Sequence, residues 1–225
     1  MPPADDTPYE IRTATPEDTG LVEALDGSFT TATVFRVEMA ENGFTLRETP
    51  VDPPLTKVFP EDENDEGSGA QGDEGSGAQG DEGSWAQGDE TSGPLGGEAS
   101  GTQGDEGDRA AQGDPTFLAL AADGSLAGFV SVTYARWNRR LTIEDIEVAP
   151  GHRGRGVGRA LMSRAEEFAR EQGAGHIWLE VTNINAPAIH AYRRMGFSLC
   201  GLDTSLYEFT ASAGEYALYL SKPCR

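Results

Sequence analysis

"APGHRGRGVGRALM", residues 149–162, marks a change in the periodicity of the chain. The residues before it, TIEDIEV at 142–148, are typical of a strand. After it, apolar side chains recur with helical spacing up to Gly173, which is expected to end the helix. The predicted apolar face consists of Val157, Ala160, Leu161, Ala165, Phe168 and Ala169. A glycine-rich turn between a strand and a helix exposes backbone N–H groups at the positive end of the helix dipole, so this stretch is predicted to bind an anion.

The spacing of the glycines excludes two common nucleotide-binding loops. The dinucleotide pattern GxGxxG fails because Leu161 stands where the third glycine is required. The phosphate-binding P-loop fails because no GK[ST] sequence follows. The pattern that does fit is Arg153-x-x-Gly156-x-Gly158.

Strand and helix patterns extend outward from this loop in both directions. Strand patterns are found at residues 9–15, 176–182, 197–202 and 215–220. A hairpin is predicted over 33–51 around Asn42-Gly43, and three strands over 116–150, joined at Asp123-Gly124 and around Trp137-Asn138. Helix starts are predicted at Thr15-Pro16-Glu17-Asp18 and at Pro187, the second helix ending at Met195 before Gly196. Strands on both sides of helices indicate an α/β fold with a mixed central sheet flanked by helices.

Residues 61–114 form an acidic octapeptide-repeat insertion. Five octads begin at 67, 75, 83, 91 and 99, and the first reads GSGAQGDE. The segment contains 16 Asp plus Glu and one Arg, a net charge of -15 out of -21 for the whole chain. A repeat without an apolar face cannot offset the entropy of ordering its backbone, so we predict a disordered loop. The flanks, 9–60 and 115–225, are predicted to form a single domain after a flexible N-terminus at 1–8.

Composition narrows the function further. A net charge of -21 argues against binding nucleic acid or anionic membranes. The chain has no transmembrane-length apolar run and no signal-peptide pattern at its start. Two cysteines and three scattered histidines make neither a disulfide framework nor a metal motif. We therefore expect a reduced, cytoplasmic protein without a metal.

A second motif lies about thirty residues beyond the first. "NINAPAIHAYRRMGF", residues 183–197, contains the pattern A-x-x-x-Y-x-x-x-G-F after an Asn. Together with Arg153-x-x-Gly156-x-Gly158 it resembles the GNAT superfamily of N-acetyltransferases. The resemblance implies acetyl-CoA as co-substrate, with its pyrophosphate in the glycine-rich loop. The residues it assigns to acetyl-CoA are Ile146, Glu147, Val148, Arg153, Gly154, Arg155, Gly156, Val157, Gly158, Arg159 and Asn185.

Longer stretches resemble one branch of that superfamily, the streptothricin (nourseothricin) acetyltransferases. These stretches are EALDGSFTTATVFRV, VDPPLTKVFP, RLTIEDIEVAPGHRG, GHIWLEVTNINAPAIHAYRRMGF and CGLDTSLY. The similarity spans nearly the whole chain outside 61–114, where members of the family carry a shorter acidic stretch. It implies acetylation of a β-lysine amine of streptothricin, which inactivates the antibiotic and confers resistance.

The reaction needs a group that accepts a proton from the amine and a group that protonates the departing thiolate. At pH 7 the free form of an alkylamine lies roughly 4.6 kcal/mol above its ammonium form, so a carboxylate near the entry path helps. The resemblance favours Glu144 as the proton acceptor or water-positioning residue, because aminoglycoside-type relatives have an acid at the matching position. Asp145 is the alternative, since the resemblance also implies a bulge in this strand, which would change the side chain that faces the site. The resemblance gives Tyr192 the role of acid. Trp137, Glu180 and Asp203 are candidates for the acceptor pocket, because aromatic faces and carboxylates attract ammonium groups.

Two alternatives remain open from the sequence. The acceptor could be another cationic amine: an aminoglycoside, a polyamine or a protein lysine. The domain could also be a non-catalytic CoA-binding sensor, although Tyr192 and the IEDIEV strand argue against that. Both a monomer and a homodimer are compatible with the sequence.

Overall fold

A computed structural model of the protein describes residues 8–58 and 114–224. The predicted disordered insertion at 61–114 and the predicted flexible N-terminus at 1–8 lie outside the described residues, apart from Pro8 and Asp114. Within the described residues the strands are β1 Glu10–Thr13, β2 Phe29–Ala40, β3 Gly43–Lys57, β4 Thr116–Leu120, β5 Leu126–Ala135, β6 Arg140–Val148, β7 His176–Thr182, β8 Ser198–Asp203 and β9 Ala217–Pro223. The helices are α1 Thr19–Glu23, α2 Val157–Glu171 and α3 Ala186–Arg194.

Seven of these strands form the predicted mixed central sheet, in the order β1-β4-β5-β6-β7-β9-β8. The β6–β7 pair is parallel and its neighbours are antiparallel. The three strands predicted between 116 and 150 are β4, β5 and β6, and a short 3₁₀ helix at Arg136–Asn138 joins the last two. The core holds apolar side chains from both faces of the sheet, with Phe117, Leu141 and Leu179 at most 1% exposed.

The predicted hairpin is confirmed, but it forms a two-stranded sheet of its own from β2 and β3. Ala40 pairs with Gly43, so the two-residue turn consists of Glu41 and Asn42, one residue earlier than the Asn42-Gly43 signal suggested. This register places Val37 opposite Leu46, and both side chains pack against the core. The inward-facing apolar residues therefore decide the register, because a slip by one residue would turn them outward.

The first predicted helix begins as a 3₁₀ turn at Pro16–Asp18 and continues into α1. The Asp18 carboxylate accepts a hydrogen bond from the Thr15 backbone N–H at 2.8 Å and completes a capping box. The guanidinium of Arg12 in β1 donates two hydrogen bonds of 2.7 Å to the same carboxylate. This forked contact holds the helix start against the edge of the sheet and keeps the pKa of Asp18 well below its usual range.

Helix α2 buries the predicted apolar face against β4, β5 and β6. Met162 is buried with that face, and Phe168 is half-buried at its edge. Gly173 has φ +72°, the left-handed conformation predicted for the residue that ends the helix. Helix α3 begins one residue earlier than predicted because Asn185 caps it, accepting a hydrogen bond from the Ala188 N–H at 3.1 Å. No helix in the described part of the chain is long and apolar enough to cross a membrane.

The two parallel strands separate part of the way along their length. The β6–β7 ladder runs from the Arg140–His176 pair to the Ile143–Leu179 pair. Beyond these pairs β6 continues to Val148 and β7 to Thr182 without pairing to each other. On the other side of β6, the register with β5 shifts at Glu144, which is a β-bulge. The bulge and the separation together open the sheet at the start of α2.

Candidate active site

A cleft of about 640 Å³ occupies the gap between β6 and β7. Its floor is the C-terminal half of β6, one wall is the beginning of α2, and the other wall is α3. The segment leading into β2, at residues 27–30, lies along its rim. On the β7-facing edge of residues 144–148, no described strand takes up the backbone hydrogen bonds, so this edge can pair with an extended ligand.

The glycine-rich loop forms the end of the cleft at α2. Gly154 and Gly156 have φ +72° and +92°, in the left-handed region that other residues adopt at a cost. Gly156 is the N-cap of the 15-residue helix α2, so the positive end of the helix faces the cleft. Arg153 of the loop and Arg159 of the first turn of α2 line the cleft here, and Arg194 lines it from α3. This combination of backbone N–H groups and guanidinium groups suits a polyphosphate.

Arg153 also has a structural role in this loop. Its Nε donates a hydrogen bond to the Val148 carbonyl at 2.8 Å, and its Nη2 donates one to the Asp26 carbonyl at 3.2 Å. The guanidinium therefore joins the end of β6 to the rim of the cleft while adding positive charge near the helix N-terminus.

At the bulge, two consecutive carboxylates of β6 line the cleft. Both Glu144 and Asp145 are exposed and line the cleft. Desolvation by the surrounding protein raises the pKa of Asp145, which is partly opposed by a hydrogen bond from the backbone of Ile146. The charge of Asp145 also contributes to raising the pKa of Tyr192, and both side chains line the cleft.

Glu147 is a further carboxylate of β6 in the cleft. Burial raises its pKa to about 7, and the charges of Asp145 and Asp26 raise it while Arg153 opposes them. The carboxyl group lies against Gly27: a Cβ at that position would come within 2.1 Å of Glu147 Oε1. Gly27 therefore lets the rim of the cleft approach this side chain closely.

Tyr192 of α3 reaches the middle of the cleft from a buried position. Its ring packs edge-on against Phe197, with the centroids 5.9 Å apart. Burial raises the pKa of Tyr192, and the charges of Asp145 and Glu180 add to the effect. The hydroxyl therefore stays protonated throughout the neutral range and can donate a proton.

Glu180 of β7 lines the opposite side of the cleft and accepts a hydrogen bond from the Tyr207 hydroxyl. Burial raises the pKa of Glu180, the Tyr207 hydrogen bond lowers it, and the charge of Glu215 raises it. The cleft thus combines an anion-binding end at α2 with carboxylates that line it together with Tyr192.

Most of the residues predicted from the sequence come together in this cleft. The predicted residues that line it are Glu144, Asp145, Ile146, Glu147, Val148, Arg153, Gly154, Gly156, Val157, Gly158, Arg159, Glu180, Asn185 and Tyr192. Three predicted residues do not line it. Arg155 lies on the exposed side of the loop, and Trp137 is 87% exposed before the start of β6, at the end of the strand away from the cleft. Asp203 caps a turn by accepting hydrogen bonds from the backbone N–H groups of Ser205 and Leu206.

Sequence reasoning missed other residues of the cleft, among them Phe29, Thr30, Arg194 and Tyr207. Tyr207 was within the CGLDTSLY stretch that carried the resemblance, but no local pattern paired it with Glu180. Among the described residues, no group of three or more His, Cys, Asp or Glu side chains is placed to hold a metal ion.

Comparison with known proteins gives a consistent result for sequence and structure. Residues 85–197 match the model of the acetyltransferase (GNAT) family. The chain is 54% identical to a streptothricin acetyltransferase of Streptomyces lavendulae over 217 residues, which cover 96% of this chain and 95% of that protein.

Two solved structures share the fold over nearly their whole length. The crystal structure of a nourseothricin acetyltransferase is 55% identical, with a TM-score of 0.73, and the alignment covers 97% of this chain and all of that one. A putative streptothricin acetyltransferase from Bacillus anthracis, solved in complex with acetyl coenzyme A, has a TM-score of 0.64 at 21% identity, covering 96% of this chain and 97% of that one. At that identity the second structure is similar in fold alone.

Proposed function

The chain belongs to the acetyltransferase (GNAT) family, and we propose that it transfers the acetyl group of acetyl-CoA to a primary amine of streptothricin, on the β-lysine moiety. It is an N-acetyltransferase, and acetylation of the antibiotic confers resistance. The single observation that carries this proposal is the cleft between β6 and β7, with a phosphate-binding end at α2 and carboxylates around Tyr192 at its centre. The 54% identity to a streptothricin acetyltransferase supports the choice of acceptor.

The residues at the α2 end fit the diphosphate of acetyl-CoA. The left-handed glycines leave the N-cap free of side chains, and Arg153 and Arg159 supply positive charge. The unpaired edge of β6 can exchange backbone hydrogen bonds with the extended pantetheine arm, and one of its N–H groups near Ile146–Val148 can polarise the thioester carbonyl. When bound, acetyl-CoA supplies an activated acyl group, so no covalent intermediate on the protein is required.

The carboxylates favour a cationic acceptor. Glu180, which lines the cleft and accepts a hydrogen bond from Tyr207, can hold the ammonium form of the amine as it enters. Asp145 then accepts the proton, directly or through a water molecule, so that the amine can attack. Both carboxylates line the cleft, and the raised pKa of Asp145, together with its electrostatic influence on Tyr192, supports Asp145 over Glu144, which the sequence had favoured.

Tyr192 completes the reaction in this proposal. The amine attacks the thioester carbonyl, its nitrogen releases a second proton to solvent, and the C–S bond breaks as the tetrahedral intermediate collapses. The Tyr192 hydroxyl gives its proton to the departing thiolate and recovers a proton from solvent or from Asp145. The burial that raises the pKa of Tyr192 keeps this proton in place until negative charge develops on the sulfur.

The test is thiol release from acetyl-CoA with four acceptors measured in parallel: streptothricin, kanamycin, spermidine and a lysine-containing peptide. We expect streptothricin to have the highest kcat/KM, and mass spectrometry of the product to place one acetyl group on the β-lysine moiety. Release that is faster with one of the other amines contradicts the proposed acceptor. No thiol release with any amine, despite binding of acetyl-CoA, would indicate a CoA-binding sensor instead.

A further inference from the structure

Tyr207 contacts the candidate active site from a segment to which neither motif assigns a role. It lies between β8 and β9, 27 positions after its partner Glu180. Its hydroxyl donates a hydrogen bond to Glu180 Oε1, and the side chain itself lines the cleft. Burial, followed by the hydrogen bond to Glu180, raises the pKa of Tyr207, so this hydroxyl remains a donor at neutral pH.

Hydrogen bonds hold the segment that carries Tyr207 at both of its ends. At the first end, Asp203 Oδ1 accepts hydrogen bonds from the N–H groups of Ser205 at 2.8 Å and Leu206 at 3.0 Å. At the second end, Glu215 accepts a hydrogen bond from Thr182 Oγ1 at 2.6 Å. Tyr207 is therefore not on a free loop, and its hydroxyl is held at a defined place against β7.

Lys57, the last residue of β3, also holds the Glu215 end of the segment between β8 and β9. Its Nζ donates a hydrogen bond to Ser212 Oγ at 2.7 Å and another to the Glu215 carboxylate. The side chains of Lys57 and Glu215 are largely buried, 12% and 13% exposed. Because Glu180 and Thr182 alternate by two along β7, they share one face of the strand, and both are contacted by this segment.

Several ionisable groups from neighbouring elements surround Glu180. Tyr207 and Glu215 face it from the β8–β9 segment, and Lys57 neutralises part of the Glu215 charge. Tyr219 is its partner across the strands on β9, and Tyr192 of α3 and Asp145 of β6 line the same cleft. Among these groups, Tyr207 is the one that donates a hydrogen bond to Glu180 within the described residues, and this bond opposes the effect of burial on the Glu180 pKa.

We propose that Tyr207 is a positioning residue for the acceptor: its hydroxyl holds the Glu180 carboxylate ionised and oriented toward the cleft, where it binds the entering ammonium group. This rests on the proposed function. Tyr207 acts through Glu180 and does not touch the reacting atoms, so its removal should affect acceptor binding more than the chemical step. The two tyrosines of the site therefore have different tasks, Tyr192 at the leaving thiolate and Tyr207 at the incoming amine.

The test is Tyr207→Phe, which keeps the ring and removes the hydroxyl. We expect KM for streptothricin to rise roughly tenfold, as for loss of a hydrogen bond to a charged group, while kcat changes less than threefold and acetyl-CoA affinity stays at its wild-type value. The acidic limb of the kcat/KM profile should move to higher pH by roughly one unit, because a carboxylate that loses a donor is protonated more readily. Tyr216→Phe is the matched control, since this hydroxyl of the same segment makes no hydrogen bond to another described residue.

A double-mutant cycle with Glu180→Gln gives a second measurement. If Tyr207 acts through Glu180, Tyr207→Phe should have little further effect on KM once Glu180 is Gln. Additive effects of the two substitutions would overturn the proposal, and so would a wild-type pH profile in a folded Tyr207→Phe variant. Failure of the proposed function is a separate result, because there the wild-type enzyme itself would not acetylate streptothricin.

Discussion

Tyr192 is buried and also lines the cleft. Its side chain is 9% exposed, and it lies near two carboxylates whose charges strengthen its hold on its proton. A phenol of this kind stays protonated at neutral pH, so its hydroxyl is available to donate a hydrogen bond, and then its proton, to the sulfur as negative charge develops there.

The corresponding prediction is for Tyr192→Phe. We expect kcat to fall by roughly tenfold to a thousandfold because the thiolate loses its proton donor, while acetyl-CoA affinity stays nearly intact. Steady-state kinetics and calorimetric titration with acetyl-CoA provide the two measurements. Wild-type kcat throughout the pH range would remove Tyr192 from the role of acid.

A second prediction at the scale of the residue concerns Asp145, which follows the bulge in β6. Asp145 must be ionised to accept a proton, and its raised pKa means that activity is lost as the pH falls through that raised value. In Asp145→Asn, the reaction depends on amine that is already unprotonated, so we expect kcat/KM to fall roughly a hundredfold below neutral pH and to recover as the pH approaches the amine pKa near 10.

Glu144→Gln is the matched control, because Glu144 is the adjacent carboxylate and lies on the bulge itself. The pH dependence of kcat/KM should stay close to wild type in this variant. The opposite result would be a loss of kcat/KM at acidic pH in Glu144→Gln but not in Asp145→Asn. That result would restore Glu144 as the proton acceptor, the assignment that the sequence favoured.

At the scale of the element, the N-terminus of α2 depends on the conformation of Gly156. Asp and Asn both tolerate the left-handed region better than most residues, and an added Cβ at this position meets open space. Gly156→Asp should therefore fold, since an acidic N-cap also suits the helix dipole.

Although Gly156→Asp should fold, we expect it to bind acetyl-CoA poorly. The new carboxylate would lie where the diphosphate of acetyl-CoA is expected, and like charges in contact cost several kcal/mol, so we expect affinity to fall by at least a hundredfold. Gly156→Asn, nearly identical in size but neutral, should retain far more of it. Calorimetry on the two folded variants is the measurement, and equal affinities would exclude the loop from the phosphate site.

Gly128 on β5 provides a prediction about how two strands approach each other. A Cβ there would lie 2.4 Å from the Glu147 carbonyl oxygen and 3.2 Å from Val148 Cα, both backbone atoms that cannot rotate away. We expect Gly128→Ala to lower the free energy of unfolding by roughly 1–3 kcal/mol and to weaken acetyl-CoA binding, because β6 must shift at the cleft.

Gly20→Ala serves as its control in denaturant unfolding experiments. Its Cβ would meet no atom within 4 Å, and alanine favours the helix in which Gly20 lies. Stability should therefore be unchanged or slightly raised. A Gly128→Ala variant as stable as wild type would show that the two strands can separate without cost.

At the scale of the whole molecule, the acidic octads at 67–106 are expected to be dispensable for catalysis. Loop closure depends weakly on length, with each doubling costing about 0.6 kcal/mol, so joining the ends should leave the melting temperature and kcat nearly unchanged. A long run of carboxylates would attract a polycationic antibiotic, and this attraction is screened over about 8 Å at physiological salt. The deletion should therefore raise KM for streptothricin at low salt, with the difference fading as salt increases.

A second variant separates length from charge in this experiment. Replacing each Asp and Glu of 67–106 by Asn and Gln keeps the length and removes the charge, and it should reproduce the effect of the deletion on KM. Melting curves and kinetics at two ionic strengths are the measurements. A large fall in melting temperature, or loss of kcat at saturating substrate, would show that the octads are part of the folded body.

Much of the fold could be predicted because its signals are local. The strand β7 has the bounds that its sequence pattern predicted, and α2 ends where the left-handed Gly173 allows it to end. The glycine-rich loop and the A-x-x-x-Y-x-x-x-G-F pattern were recognisable for the same reason, since each is a single turn or helix whose spacing follows from backbone geometry. Element boundaries at α3 and in the β2–β3 turn were each displaced by one residue, where a cap or a core contact decided the outcome.

The sequence by itself thus determined the types of elements, the two motifs and the resemblance that they carry. Tertiary structure alone decided where β6 and β7 separate, that Glu144 and Asp145 both line the cleft with Tyr192, and that Trp137 lies outside it. It also brought Tyr207 to Glu180 and Lys57 to Glu215, the latter pair 158 positions apart. The physical reason is that periodicity and turn propensity act over a few residues, whereas these contacts depend on the order and separation of strands in the sheet, which no local pattern specifies.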